Sequence, residues 1–149
     1  MNGFQGLGAA GLAAVLLAGC SSMMGERSVV VTPDACGPKR FDVYFAEGEA
    51  GLTDAARTAI GLTATQLQGC EIRAVRVLGL ADATGAAQEN LTLSQRRALA
   101  VVEALAAQGW PVPAFEVAAA GDAGAVTPGG VEEPLRRRTE VLVEARARP

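Results

Sequence analysis

The stretch from Leu80 to Leu105, LADATGAAQENLTLSQRRALAVVEAL, is mostly alanine and leucine, yet it places Asp82, Gly85, Asn90, Arg96 and Arg97 in a fixed order. An aspartate is acceptor-only and suits an ammonium group. An arginine presents a planar fork that suits a carboxylate. Together they could grip a small zwitterion. On one continuous helix, Asp82 and Arg97 would lie about 22 Å apart, too far to share such a ligand. A turn at Gly85 removes that obstacle, because the end of a preceding strand can then fold back along the flank of the helix. Projected at about 100° per residue, Leu91, Ala98, Val101, Val102 and Leu105 form one apolar stripe. Asn90 and Arg97 run along its edge, and Arg96 points to solvent. From the residues alone, Asp82 and Arg97 have two readings: half of a binding pocket, or a salt bridge that ties a loop to a helix.

The rest of the composition narrows the chemistry. The 149 residues contain no histidine, which removes Ser-His and Cys-His nucleophile pairs and most metal sites. No motif pairs two carboxylates, and no activated nucleophile is evident, so an enzyme is not expected. Nor is a cofactor or a metal site. The net charge of −3 has the wrong sign for a nucleic-acid binder. Half the residues are apolar, enough for the core of one modest domain.

The first 19 residues carry no charged side chain, and the apolar run LGAAGLAAVLLAGC is short for a membrane span. Its end, Leu17-Ala18-Gly19-Cys20, resembles the lipobox of bacterial lipoproteins. That resemblance implies a signal peptide over 1–19 and a mature chain starting at Cys20, acylated with palmitate-type chains. Ser21 implies sorting to the outer membrane, with the domain facing the periplasm. The amino-terminal MNGFQG lacks the Lys or Arg that such signals usually carry. Residues 20–40 then read as a lipidated tether, with one short apolar run at Val29–Val31. About 20 extended residues reach at most roughly 70 Å, so the domain would work close to its membrane. Two cysteines remain, Cys36 and Cys70. In an oxidising compartment they are expected to form a disulfide. Each precedes an expected strand, and their starting ends meet if those strands are parallel and adjacent.

These residues need a scaffold to position them. FDVYFAE alternates, with Phe41, Val43 and Phe45 on one side and Asp42 and Tyr44 on the other, as in a half-buried strand. Thr53 caps a helix containing Ala55, Ile60, Leu62 and Leu67, and Gly69 ends it. CEIRAVRVLGL is a second strand. The segment with Asp82 and Arg97 leads into a second helix, stopped by Gly109 with Pro111 and Pro113 beyond. FEVAAAG is a third strand. DAGAVTPGGVEEP is a loop. TEVLVEA is a fourth strand, with Val141 and Val143 inward and Glu140 and Glu144 outward. The order β-α-β-α-β-β predicts an α+β two-layer sandwich: a mixed four-stranded sheet with helices on one face, parallel where helices cross over. The folded domain is expected over 41–146.

The spacing Gly79-x-Ala81-Asp82-x-x-Gly85-x-x-x-x-Asn90-x-x-Leu93-x-x-Arg96-Arg97-Ala98-x-Ala100-Val101 resembles the signature of the OmpA-like domain. The resemblance is closest to the peptidoglycan-associated lipoproteins and covers roughly Phe41 to Ala145. Val43-Tyr44-Phe45, Gly121 and Arg137-Arg138 match more weakly. The resemblance implies non-covalent binding of the peptide stem of peptidoglycan, at the free end of diaminopimelate. Asp82 would take the ammonium and Arg97 the carboxylate. Asn90 would brace the loop or add a donor, and Arg138 would line the same groove. Partners would be peptidoglycan, the outer membrane through the lipid and other envelope proteins. Three positions depart from the pattern. Leu80 stands where the family has His or Thr, Arg136 stands where it has Asn, and the loop from Pro128 to Arg136 is shorter. These departures favour an alternative, an assembly subunit of an envelope complex with a weakened pocket.

Overall fold

Apolar strand and helix faces produce four strands and two helices in the computed structural model, which describes residues 33–149. The elements are β1 (Lys39–Tyr44), α1 (Asp54–Gln66), β2 (Glu71–Gly79), α2 (Ala87–Ala107), β3 (Phe115–Ala119) and β4 (Arg138–Arg146). The expected signal peptide, Cys20 and Val29–Val31 lie outside the described residues. From Pro33 onward the expected tether is folded: Pro33–Cys36 forms a 3₁₀ turn that leads into β1.

The strand order is β1-β4-β2-β3. β2 and β3 are parallel across the α2 crossover, and β4 runs antiparallel to both β1 and β2. Alternation points Val43, Val75, Val77, Val141 and Val143 to one face, where they pack with Ile60, Ala98, Val101 and Leu105 in a single core. The other face carries ion pairs between neighbouring strands, among them Arg76 with Glu116 and Glu144, and Arg40 with Glu140. Helices therefore cover one face only, as the sequence pattern predicts.

Two local expectations change. β1 and β2 are parallel in direction but not adjacent, because β4 inserts between them. The Cys36–Cys70 disulfide still forms, with Cα atoms 5.5 Å apart. Cys36 sits in the 3₁₀ turn before β1, and that turn spans the extra strand width that direct adjacency would have removed. Closing a loop with a sequence separation of 34 restricts the unfolded chain by about 4 kcal/mol in the entropy model. In α1, Thr53 caps as expected, its Oγ1 accepting from the Ala56 amide at 3.1 Å. The face it buries carries Ala56 and Ile60, with Leu67 just beyond the helix, whereas Ala55 and Leu62 are exposed.

The strand end that carries Asp82 is brought onto α2 by the absence of a side chain. A Cβ at Gly79 would stand 1.9 Å from the Ser94 carbonyl oxygen. Ser94 is fully buried there; its hydroxyl donates to the Leu91 carbonyl at 2.8 Å and accepts from the Gly121 amide at 3.0 Å. Gly121 lies at φ +54°, and a Cβ on it would press within 3.1 Å of the Leu91 backbone. Two glycines and one serine thus dock α2 against the ends of β2 and β3.

Gly79→Ala is expected to destabilise the domain by about 3 kcal/mol or more, since the clash is with backbone rather than with a movable side chain. Gly61→Ala, on α1 with open space around it, is expected to stabilise by about 0.5–1 kcal/mol. Urea unfolding of the two variants checks both signs.

Candidate functional site

Beyond β2 the chain runs on through Leu80, Ala81 and Asp82 and bends over residues 83–85. The Leu80 amide donates to the Arg138 carbonyl at 2.9 Å, and the Ala81 amide donates to the Gly121 carbonyl at 2.8 Å. This pins the segment between β4 and the loop after β3. Asp82 is nearly buried, its side chain 13% exposed. One carboxylate oxygen accepts from the Thr84 amide at 3.3 Å, and the other accepts from Arg137 Nη1 at 3.2 Å. Gly85, at φ +90°, completes the turn into α2.

Arg97 is fully buried. Its Nε donates to the Glu49 carbonyl at 2.8 Å, Nη1 to the Leu80 carbonyl at 3.1 Å, and Nη2 to the Ala46 carbonyl at 3.1 Å. The guanidinium lies over the Phe45 ring, 5.2 Å from its centroid, a favourable cation–π position. Burial lowers its pKa; the nearby Asp82 charge opposes that shift and the Arg137 charge adds to it. Arg97 is therefore the hub at which the β1–α1 loop, the end of β2 and α2 meet.

The sequence-predicted residues separate into three groups. Asp82 and Arg97 come into one electrostatic neighbourhood, but without a hydrogen bond or ion pair between them. Asn90 joins them from α2: it is buried, and its Nδ2 donates to Asp122 at 3.1 Å, bracing the loop after β3. Arg138 lies on the opposite, open face of the sheet, where it pairs with Asp42 at 3.4 Å and Glu140 at 2.7 Å. The Glu140 hydrogen bond raises its pKa. Arg96 is exposed, as projected.

Arg137, rather than Arg138, joins Asp82. A sequence signal for this exists: in β4, Thr139, Val141 and Val143 are buried, so Arg137 shares their parity and Arg138 does not. Phe45 and the carbonyls of Ala46 and Glu49 have no comparable signal, because backbone acceptors in a loop leave no mark on residue type. Arg136 reaches the Ala123 carbonyl and sits against Gly124, filling space beside the loop. A cleft of about 410 Å³ borders the site, walled by Thr84, Gly48, Glu89, Asn90, Leu93 and Arg96. Where the ends of β2 and β4 meet α2, the arrangement gathers one carboxylate, one partly exposed guanidinium and one fully buried guanidinium. It is suited to holding a small ligand of both charges.

Residues 44–139 match the OmpA family. Among solved structures, the peptidoglycan-associated lipoprotein from Burkholderia pseudomallei is similar, with a TM-score of 0.56 and 25% identity over 72% of this chain and 91% of that one. The cell wall anchor of the T6SS from Pseudomonas aeruginosa gives a TM-score of 0.57 and 25% identity over 72% and 82%. The OmpA-like domain of FopA1 from Francisella tularensis gives 0.62 and 24% over 74% and 73%, a likeness of fold. Comparison with curated proteins gave no match.

Arg97→Ala would strand three carbonyls and empty a buried volume, with an expected loss of about 3–5 kcal/mol. Arg96→Ala is expected to stay within about 0.5 kcal/mol of the parent. Denaturant midpoints of the two neighbouring variants decide this.

Proposed function

We propose that this chain, which belongs to the OmpA family, is a non-enzymatic envelope anchor that binds peptidoglycan without covalent attachment. The ligand is the free end of diaminopimelate in the peptide stem, which carries an ammonium and a carboxylate on one carbon. The observation that carries this reading is Asp82: a nearly buried carboxylate at a strand end, held by a backbone amide and one arginine, beside a second, fully buried arginine. Asp82 accepts the ammonium, and the guanidinium side of the site takes the carboxylate. A rigid strand end and helix keep the two at fixed separation. The similarity to a peptidoglycan-associated lipoprotein and to a cell wall anchor supports the same class of ligand.

The second half of the proposal concerns the membrane. Leu17-Ala18-Gly19-Cys20 followed by Ser21 supports a lipoprotein held at the outer membrane by acyl chains on Cys20. A lipid at one end and peptidoglycan at the other would staple membrane to wall, and two or more acyl chains suffice for stable anchoring. One observation favours an assembly subunit instead. Arg136, which stands where the family pattern has Asn, commits its guanidinium to the loop at Ala123 and Gly124.

Sedimentation of the detergent-solubilised full chain with purified sacculi separates these readings. The parent is expected to co-sediment. Asp82→Asn keeps the size and the acceptor for Thr84 but loses the charge, and should weaken binding by tens to thousands of fold. A parent that stays in the supernatant turns the reading to the assembly subunit. For the membrane half, mass spectrometry of the membrane-extracted protein should find the peptide starting at Cys20 with acyl mass attached. An unmodified peptide continuous through Cys20 overturns it.

A further inference from the structure

Resting on the lipid-anchor half of the proposal above, we infer that the end of the sheet opposite Asp82 docks onto an anionic phospholipid leaflet, the one in which the acyl chains sit. β1 and β2 begin at this end and β4 finishes there. The 3₁₀ turn Pro33–Cys36 is tied to Cys70 at the same end by the disulfide. The tether therefore joins the domain here. Residues 20–32 reach at most about 45 Å, so this is the part of the domain that a lipid on Cys20 brings nearest to its membrane. β2 is nine residues long and spans about 30 Å. A domain docked on this end holds Asp82 about that far from the lipid, facing away from it.

The charges at this end complement such a leaflet. Lys39, Val143 and Val75 form one row across the sheet. Lys39 is itself a cation, and beyond the row come Arg73, Arg146 and Arg148. The acids there are Asp34, Glu71 and Glu144, and Glu144 is answered by Arg76 from the next row. Four cations thus stand against two acids, in a chain whose net charge is −3. Glu71 bonds both Arg73 and Arg146, each at 2.8 Å. One carboxylate is divided between two guanidinium groups whose side chains are more than half exposed. The helix ends that arrive here, residues 58–70 and 104–114, carry no charge at all. Pro111, Val112 and Pro113 are exposed, Val112 at 64%. An apolar tip beside long arginine stems is the composition that settles at a lipid surface. Each cation near an anionic leaflet strengthens attachment by about five-fold. That is weak for a free protein and enough for one already held by a short tether, because the second contact is then intramolecular.

Trp110 is the chain's only tryptophan, and it lines a cleft at this end together with Gln68, Gln108 and Arg148. It is 7% exposed, so it serves as a reporter of nearby lipid rather than as an anchor. The test incorporates the full, lipidated chain into vesicles whose acyl chains carry bromine, a short-range quencher of indole fluorescence. One set is phosphatidylcholine alone; the other also contains phosphatidylglycerol. Quenching of Trp110 is expected to be about two-fold greater with phosphatidylglycerol. The difference should vanish at about 1 M salt, where the screening length is ~3 Å. The double variant Arg73→Gln/Arg148→Gln should lower the docked population by about 10- to 30-fold and abolish the difference. Arg57→Gln, at the start of α1 and the other end of the sheet, should keep it. Flotation with the phosphatidylcholine vesicles reads the acyl anchor by itself. A chain that floats with both vesicles and is quenched equally in both overturns the docking surface and leaves the anchor standing. A chain that floats with neither overturns both. Thermal unfolding of each variant establishes that the comparison is between folded proteins.

Discussion

A guanidinium buried without a carboxylate against it is the constraint on which this end of the molecule is built. Moving a charge out of water costs several kcal/mol even after relaxation. Arg97 meets that cost with three carbonyls, the face of Phe45 and the field of Asp82. Two of these carbonyls belong to the β1–α1 loop and one to the segment just beyond β2. Holding the cation therefore fixes the backbone that surrounds the site, and the site's geometry is inherited from a residue that is itself inaccessible.

The sheet order makes this convergence possible. With β4 between β1 and β2, the start of β4 lies beside the ends of both its neighbours. The Phe45 amide donates to the Arg137 carbonyl, and the Leu80 amide donates to the Arg138 carbonyl, each at 2.9 Å. Arg137 is thereby delivered between two strand ends and meets Asp82. Had β1 and β2 paired directly, β4 would have lain at an edge and Arg137 would have had one neighbour. At the other end of the sheet the disulfide ties the entry to β1 to the entry to β2. There Glu71 also pairs with Arg146 and Arg73, whose hydrogen bonds hold its carboxyl down to about 2.

Much of this was legible in the sequence. Period-two alternation marked β1 and β4, the β-branched residues of CEIRAVRVLGL marked β2, and the Thr53 cap and Gly69 bounded α1. The projection of α2 separated Arg97 from Arg96, because burial follows helical angle whatever the side chain carries. The long motif also brought Asp82, Asn90 and Arg97 to one end of the fold. The order of the strands was not legible, since alternation says which face a residue takes but not which strand lies beside it. The family resemblance groups Arg138 with the site, although the parity of Val141 and Val143 sends it to the other face. Arg97's partners were hidden more deeply. Loop carbonyls are common to every residue, so nothing in the sequence marks Ala46 or Glu49 as acceptors.

Nuclear magnetic resonance titration of the isotope-labelled protein with a soluble stem peptide ending in diaminopimelate tests the placement of the site most directly. Binding between the strand ends and α2 predicts shifts concentrated at the amides of Asp82 and Thr84 and at the Arg137 Nε–H. Shifts confined to the open face of the sheet, around Arg40, Leu78 and Leu142, would contradict it.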